Sequence, residues 1–324
     1  MQRRQFLSSA TIATAVAANG WHVQTSAQDG PVSPNDQITV AVVGVRGRGG
    51  GLLSTFAGLP DVDVKYVCDV DEGVRNSRAT GVKQRGGRSP AAIKDCRAAL
   101  DDEGVDAIVL GTPDHWHALP TIWACQAGKD VYVEKPDGHN VLEGETMVAA
   151  AKKYKRVVQL GTQARSSRHL AEAIEFVREG NVGQVRFAKA WESARQGSIG
   201  HPPDSKPPAG VDYNMWLGPA PRRDFNVRRF HGSWRWFFDY GTGDLGNDGV
   251  HRLDTARRAM SAALETEGKT LPDLPLAVSA HGGKHYYDDD QQWPDTLMAT
   301  FDYGECVLTY EMRLRAPYRL NDAT

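Results

Sequence analysis

At 324 residues the chain has room for about two domains, and 40% hydrophobic with 24% charged residues is the balance of a soluble globular protein. A formal charge of −2 offers no basic field for nucleic acid, and no run of 18 apolar residues suggests a membrane span.

The first residues do not read as part of a fold. Arg3-Arg4-Gln5-Phe6-Leu7 precedes an Ala-rich run from Ser8 to Ala18, and Thr25-Ser26-Ala27 offers small residues for cleavage. Residues 1–27 are therefore expected to be a twin-arginine export signal, which puts the mature protein in the periplasm. An ordinary secretory signal and a basic disordered tail are the alternatives. Residues 28–36, with Gly30, Pro31, Ser33 and Pro34, form a linker. Cys68, Cys96, Cys125 and Cys306 are scattered without C-x-x-C or zinc-like spacing and read as buried thiols. Export would permit a disulfide. The twin-arginine route, however, carries proteins already folded in the reducing cytosol.

Ile38-Thr-Val-Ala-Val-Val-Gly44 is a continuous apolar run, as a central parallel strand requires. It leads into Gly44-Val-Arg-Gly-Arg-Gly-Gly-Gly51 and then a predicted helix from Leu52 to Ala57. Strand, glycine turn and helix in succession form a dinucleotide fingerprint: glycines permit the turn, and helix amides face the pyrophosphate. Gly44 and Gly49 fit the first and third glycines of G-x-G-x-x-G, while Arg46 occupies the second. Gly47 beside it allows the close approach, and Arg46 or Arg48 is available to pair with phosphate. A glycine-rich loop without a ligand is the alternative. The second strand, Val62 to Val67, ends in Cys68-Asp69-Val70-Asp71, with Asp69 lying 25 residues after Gly44. An acid there accepts hydrogen bonds from adenosine ribose hydroxyls and repels a 2′-phosphate, which favours NAD over NADP. Helix capping is the structural alternative for Asp69, although Asp71 can fill that role.

After a Gly/Arg/Ser-rich connection, Lys83 to Pro90, the pattern predicts a helix near Ala91 to Leu100 and a strand from Val105 to Gly111. Thr112-Pro-Asp-His-Trp-His117 follows at that strand's carboxyl end, then a helix to Ala127. Thr112, Pro113, His115 and His117 are assigned to cofactor or helix-start contacts; no third ligand is spaced to join the two histidines in a metal site. The strand Asp130 to Glu134 is ended by Pro136. A lysine at the carboxyl edge of a buried parallel strand is costly unless it is paired or used, and that edge is where open α/β sheets bind ligands. Lys135 is thus the first candidate for chemistry, with an ion pair to Glu134 or another acid as its structural alternative. A helix from Val141 to Tyr154 capped around Asn140, a strand from Arg156 to Leu160 and Gly161-Thr-Gln-Ala164 follow. Residues 37–160 are therefore expected to be a doubly wound parallel sheet.

Beyond about residue 165 the texture changes. A helix from Ser167 to Glu179, a strand from Gln184 to Glu192 and a Pro/Gly-rich connection from Gly197 to Pro221 precede an aromatic segment holding Phe230, Trp234, Trp236, Phe237, Phe238 and Tyr240. Gly241 to Asp254 enters a helix running to about Met260, and Ala277 to His285, Asp295 to Asp302 and Cys306 to Arg313 read as antiparallel strands. Residues 161–324 are expected to form a substrate-binding α/β domain with an open, mostly antiparallel sheet.

Together these residues resemble the Gfo/Idh/MocA oxidoreductases, the family of glucose–fructose oxidoreductase and inositol dehydrogenase. The resemblance covers residues 37–324. It is carried by the glycine turn with Asp69, Thr112 to His117, Glu134-Lys135-Pro136, Trp216-Leu-Gly-Pro-Ala-Pro221, and Gly243 to Asp254. It implies an NAD(P)-binding Rossmann domain followed by an α/β domain, and hydride transfer at a hydroxyl carbon of a sugar or polyol. Glu134 and Lys135 join the cofactor-binding set in this reading. The Lys135 ammonium would hydrogen-bond the reacting hydroxyl and lower the barrier to its deprotonation, and His251 would be the general acid/base. A hydrogen-bonded core histidine is the alternative for His251. Asp254, three residues on, shares its helix face and is assigned structure or substrate contact. Many family dehydrogenases carry an aspartate four residues before this histidine; here that position is Asn247, with Asp248 beside it. Either His251 acts alone with Lys135, or Asp248 compensates, or the chemistry is not simple dehydrogenation.

Export bears on mechanism, because free NAD is scarce outside the cytosol. Folding around NAD first predicts a tightly held cofactor, reduced and reoxidised within one cycle. An oxidoreductase coupling one sugar to another fits. So does an NAD-dependent glycoside hydrolase, in which transient oxidation at C3 acidifies the C2 proton and elimination breaks the glycosidic bond without the usual paired carboxylates. A non-catalytic sugar-binding protein is the third reading. Specificity is expected in the loops from Arg195 to Pro221 and in the aromatic segment. The resemblance also implies a small carbohydrate substrate and homo-oligomers paired through the open sheet. The chain stops at Thr324, soon after a strand whose edge is left open, and is expected to be truncated.

Overall fold

The protein is described by a computed structural model over residues 37–84, 88–194 and 196–315; the expected export signal, the linker and the C-terminal residues from 316 onward lie outside the described residues. Among the described residues two units emerge: one spans 37–163 with 204–226, the other 164–203 with 227–315.

In the first unit β1 (Ile38–Val43), β2 (Val62–Cys68), β3 (Ala91–Ile93), β4 (Ala107–Leu110), β5 (Asp130–Glu134) and β6 (Val158–Gly161) form a parallel sheet in the order β3-β2-β1-β4-β5-β6. The direction of winding reverses between β1 and β4, the place where open α/β sheets bind ligands. The crossovers are α1 (Gly47–Ala57), α2 (Glu72–Gln84), α3 (Arg97–Leu100), α4 (Ala118–Gln126) and α5 (Val141–Tyr154). Every residue of β4 and β5 is buried, because helices cover both faces. Alternate side chains divide the core into two layers. Val40, Val42, Leu52, Phe56 and Val109 pack on one side, and Ala41, Val43, Ile108, Leu110 and Val133 on the other.

Two local expectations change. The helix expected over 91–100 divides into β3 and the short α3, because Ala91–Ile93 finds a ladder partner in Tyr66–Cys68 and pairing outweighs propensity. α1 starts at Gly47 rather than Leu52, so the glycine run forms its first turn. By contrast, α5 spans Val141–Tyr154 as expected. Asn140 Oδ1 accepts from the Glu143 amide at 3.0 Å, and Glu143 Oε2 accepts from the His139 amide at 2.7 Å, a reciprocal cap.

Past β6 come α6 (Arg168–Arg178), β7 (Phe187–Ser193), α7 (Tyr213–Leu217), α8 (Val250–Glu265), β8 (Ala277–Gly283), β9 (Thr296–Asp302) and β10 (Val307–Arg313). The second sheet runs β7-β10-β9-β8, antiparallel except where β10 meets β7. Leu308, Tyr310 and Met312 alternate inward on β10 and pack with Met260 and Leu264 of α8. On the outer face Phe187 and Met298 stand 59% and 60% exposed.

The sequence reading placed all of 161–324 in the second domain; by packing, Asp204–Asn226, with α7, groups with the first unit. The Glu72 amide donates to the Gly210 carbonyl at 3.0 Å, and the Asp212 amide to the Val70 carbonyl at 3.1 Å. Lys94 Nζ lies 2.8 Å from Asp212 Oδ2. His115 Nε2 and Trp116 Nε1 both reach the Trp216 carbonyl, at 2.9 and 2.8 Å. These partners lie a hundred or more residues from the elements they join, so no local pattern announces the assignment.

Candidate cofactor site and catalytic residues

The glycine turn is shaped by contact between backbones. Gly44 has φ +74° at the end of β1, and a Cβ there would meet the Thr112 amide at 2.8 Å. A Cβ on Gly49 would run into the Gly44 carbonyl oxygen, and one on Gly111 would approach Gly49 Cα at 2.6 Å. β1, α1 and β4 therefore close together only because these positions lack side chains. Gly47 is different: its Cβ would project into open space. Arg46 is the N-cap of α1 and makes no side-chain cap hydrogen bond, and the first turn carries no acid. Arg46 thus leaves the first-turn amides without a side-chain cap of its own, which suits a pyrophosphate. These features fit a dinucleotide.

Asp69 is buried at the end of β2. Its Oδ2 accepts from the Val45 amide and its Oδ1 from the Asp71 amide, both at 3.0 Å, which ties the glycine turn to β2. Burial pushes its carboxyl above the usual aspartate range, and the two amides oppose that shift. Arg46 Nη1 lies 3.3 Å from Asp71 Oδ2 and is half-exposed. Arg48 turns the other way. Its Nε donates to Glu134 Oε1 at 2.8 Å, and Tyr132 OH reaches the same oxygen at 3.4 Å. Burial works against the Arg48 charge, but Glu134 outweighs it and holds the guanidinium above its usual value. Glu134, assigned from the resemblance to the cofactor set, thus joins the glycine turn to the end of β5. Arg48 is its partner across the sheet edge.

The turn after β4 is a buried frame. Thr112 Oγ1 donates to the Trp116 carbonyl at 3.3 Å, and Pro113 caps the short 3-10 turn Asp114–Trp116. His115 stacks edge-on against Trp216 with ring centroids 5.2 Å apart. His117 is 1% exposed, and each ring nitrogen faces a main-chain carbonyl: Nδ1 that of Pro136 at 2.6 Å, Nε2 that of Thr112 at 2.9 Å. The sequence grouped both histidines with cofactor or helix-start contacts, and both rings hydrogen-bond main-chain carbonyls around the start of α4. Lys135, half-buried, sits between buried Glu134 and buried Pro136, and the Lys135–Pro136 peptide is cis.

The remaining candidates belong to the second unit. Asn247 and Asp248 lie in a π-helical turn, Leu245–Gly249, directly before α8, and Asn247 Nδ2 donates to Asp248 Oδ2 at 3.2 Å. Turns of this kind recur at functional sites. His251 is the second residue of α8 and is half-buried. Asp254 receives Arg165 in a two-pronged ion pair, Nε at 2.9 Å and Nη2 at 2.5 Å, which favours its structural assignment. Sequence reading missed Asp244. It is 1% exposed and accepts from Trp236 Nε1 at 2.5 Å and Gln196 Nε2 at 3.0 Å; burial raises its carboxyl against both bonds. Its only signal was an acid within the glycine-rich stretch before His251. All four cysteines are buried free thiols, and among the described residues no group of side chains is arranged for a metal.

Comparison with known proteins agrees with this geometry. Residues 38–162 match the family profile described as "Oxidoreductase family, NAD-binding Rossmann fold", and residues 184–311 match that described as "Oxidoreductase family, C-terminal alpha/beta domain". The chain belongs to the Gfo/Idh/MocA oxidoreductase family. This Gfo/Idh/MocA chain is 26% identical over 207 residues to a protein of Shewanella pealeana named glycosyl hydrolase family 109 protein, covering 59% of this chain and 45% of that relative. A protein of the same name from Shewanella baltica is 26% identical over 211 residues with the same coverage. The chain spans about half the length of the curated relatives it matches. Among solved structures, levoglucosan dehydrogenase in complex with NADH superposes with a TM-score of 0.63 at 19% identity, covering 87% of this chain and 68% of that one. The WlbA dehydrogenase of Chromobacterium violaceum, in complex with NADH and UDP-GlcNAcA, gives 0.63 at 18% identity, covering 90% and 71%. These likenesses establish a shared fold, and the Gfo/Idh/MocA assignment makes the first unit an NAD-binding Rossmann domain.

Proposed function

We propose that this protein oxidises a hydroxyl carbon of a sugar or polyol using tightly held NAD, with Lys135 and His251 as its catalytic residues. The observation that carries the reading is the half-buried Lys135 at the carboxyl end of β5, in an NAD-binding Rossmann domain whose glycine turn is joined to Glu134 through Arg48. NAD, when bound, supplies the hydride acceptor. Lys135 donates a hydrogen bond to the reacting hydroxyl and lowers the barrier to loss of its proton, which His251 takes. Asn247 orients the hydroxyl but accepts no proton, and Asp248 is the neighbouring carboxylate. Changing Lys135→Ala should lower turnover by about 10²- to 10⁴-fold while NAD stays bound; unchanged turnover would remove Lys135 from the chemistry.

A second reading is NAD-dependent glycoside cleavage by transient oxidation and elimination. It is supported by the name of the curated relatives and by Asn247 at the position where an aspartate would serve simple dehydrogenation. Release of nitrophenol from a nitrophenyl glycoside without net NADH selects this reading, and accumulation of NADH with a free sugar selects the first. Sugar binding without turnover in either assay would leave a binding protein. We also propose that the chain is exported by the twin-arginine route after folding around NAD. Denaturing the exported protein should release stoichiometric NAD, identified by mass spectrometry. A cofactor-free protein that needs added NADP contradicts this.

A further inference from the structure

We propose that His117 is a positioning residue for Lys135, acting through the carbonyl of Pro136, with the Arg48–Glu134 pair holding the opposite flank. This rests on the reading of Lys135 as the group that polarises the substrate hydroxyl. The residues on either side of Lys135 are each pinned by a side chain from elsewhere in the first unit. On the amino side, Glu134 is 4% exposed and its Oε1 accepts from Arg48 and Tyr132. On the carboxyl side, the Pro136 carbonyl lies 2.6 Å from His117 Nδ1. The same ring places Nε2 at 2.9 Å from the Thr112 carbonyl, so one buried imidazole spans the carboxyl ends of β4 and β5. Thr121 Oγ1 donates to the His117 carbonyl at 2.7 Å and fixes the start of α4 beneath the ring.

A histidine serving only as filler needs a single polar partner for its polar edge. Here both nitrogens are spent on carbonyls from two different strand ends, next to the cradle formed by Gly44, Gly49 and Gly111. In either neutral tautomer the ring donates to one of the carbonyls, and with both nitrogens protonated it donates to both. A bond donated to the Pro136 carbonyl, joined by the one to Thr112 when both nitrogens are protonated, sets where the chain leaves β5 and therefore where the Lys135 Cα–Cβ bond starts. Displacing a reacting group by about 1 Å costs on the order of 100-fold in rate.

The test uses the full chain with its NAD and compares wild type, His117→Ala and Lys135→Ala. Turnover is measured on whichever nitrophenyl glycoside or free sugar is turned over in the assays above. Reductive methylation with formaldehyde and a borane, followed by peptide mass spectrometry, gives the labelling rate of Lys135 relative to the other lysines. We expect His117→Ala to keep its NAD and its KM, to lose about 100-fold in kcat, and to change the relative labelling rate of Lys135. Imidazole added to His117→Gly should restore part of the kcat and should do nothing for Lys135→Ala. If turnover and Lys135 labelling both match wild type, the ring only packs and the proposal is overturned. Loss of NAD with unchanged Lys135 labelling also overturns it, by making His117 a cofactor residue. Full turnover in Lys135→Ala instead removes the reading beneath the proposal, an outcome separable from the other two. Should alanine fail to fold, His117→Asn, which keeps a donor on a shorter side chain, is judged by the same three measurements.

Discussion

Asp69 ties the glycine turn to β2 at the strand end where the proposed NAD ribose would lie. It holds the Val45 and Asp71 amides, yet burial keeps its carboxyl above the usual aspartate range. Its folded pKa exceeds the unfolded value of about 3.9, so its contribution to stability is full below that value and is lost as pH rises through the raised one. Ribose hydroxyls need the ionised form as acceptor. NAD affinity should therefore weaken on acidification, beginning at a higher pH than an ordinary aspartate would allow, as titration by tryptophan fluorescence would register. In Asp69→Ser that pH dependence should disappear and NADP should bind better relative to NAD; a variant that still excludes NADP would contradict the role. Gly49→Ala is harsher, because its Cβ meets the Gly44 carbonyl: NAD binding should fall sharply even where the fold survives. At this scale the sequence was informative wherever a residue shapes the fold through its own backbone or type, as Gly44, Gly49 and Asp69 do. It was silent wherever a residue acts through a distant partner: Arg48 and Glu134 lie 86 residues apart, and nothing near either one names the other.

Elements were legible in proportion to how far local chemistry decides them. β1, β5 and α5 declare themselves by an unbroken apolar run or by the Asn140–Glu143 cap, and they stand where the pattern put them. Replacing Asn140 with alanine should cost about 1 kcal/mol, read as a lower denaturant midpoint with an unchanged m value. β3 escaped detection because three residues of Ala-rich sequence become a strand only when β2 lies alongside. The π turn at Leu245–Gly249 likewise carries no signature beyond its glycines. The Arg165–Asp254 pair anchors the second turn of the His251 helix, but Arg165 is half-exposed. Arg165→Met should therefore cost no more than about 1 kcal/mol, and less in high salt.

For the whole molecule, the outer face of the second sheet carries Phe187 and Met298 in the open. We propose that a second copy covers this face. Light scattering should then give a dimer or larger assembly for the wild type and a smaller species for Met298→Lys; a monomeric wild type would reject the idea. Changing Arg3 and Arg4 together to lysine should retain the protein in the cytoplasm, measured by fractionation, if the export proposal is right.

The return of residues 204–226 to the first unit bears on how the chain folds during synthesis. The Glu72 amide finds its partner at Gly210, and the Val70 carbonyl finds its partner at Asp212. A ribosome that has released only as far as residue 163 has therefore supplied the parallel sheet but not the segment that closes its β2 side, and a stretch of the second unit must emerge in between. Nucleotide binding should become protease-resistant only once residue 226 has cleared the exit tunnel. A chain ending at 163 should melt well below one ending at 226. The long-range pairing also raises contact order, so slow folding is expected. For a protein proposed to cross a membrane already folded, that delay would set the interval in which NAD can be captured.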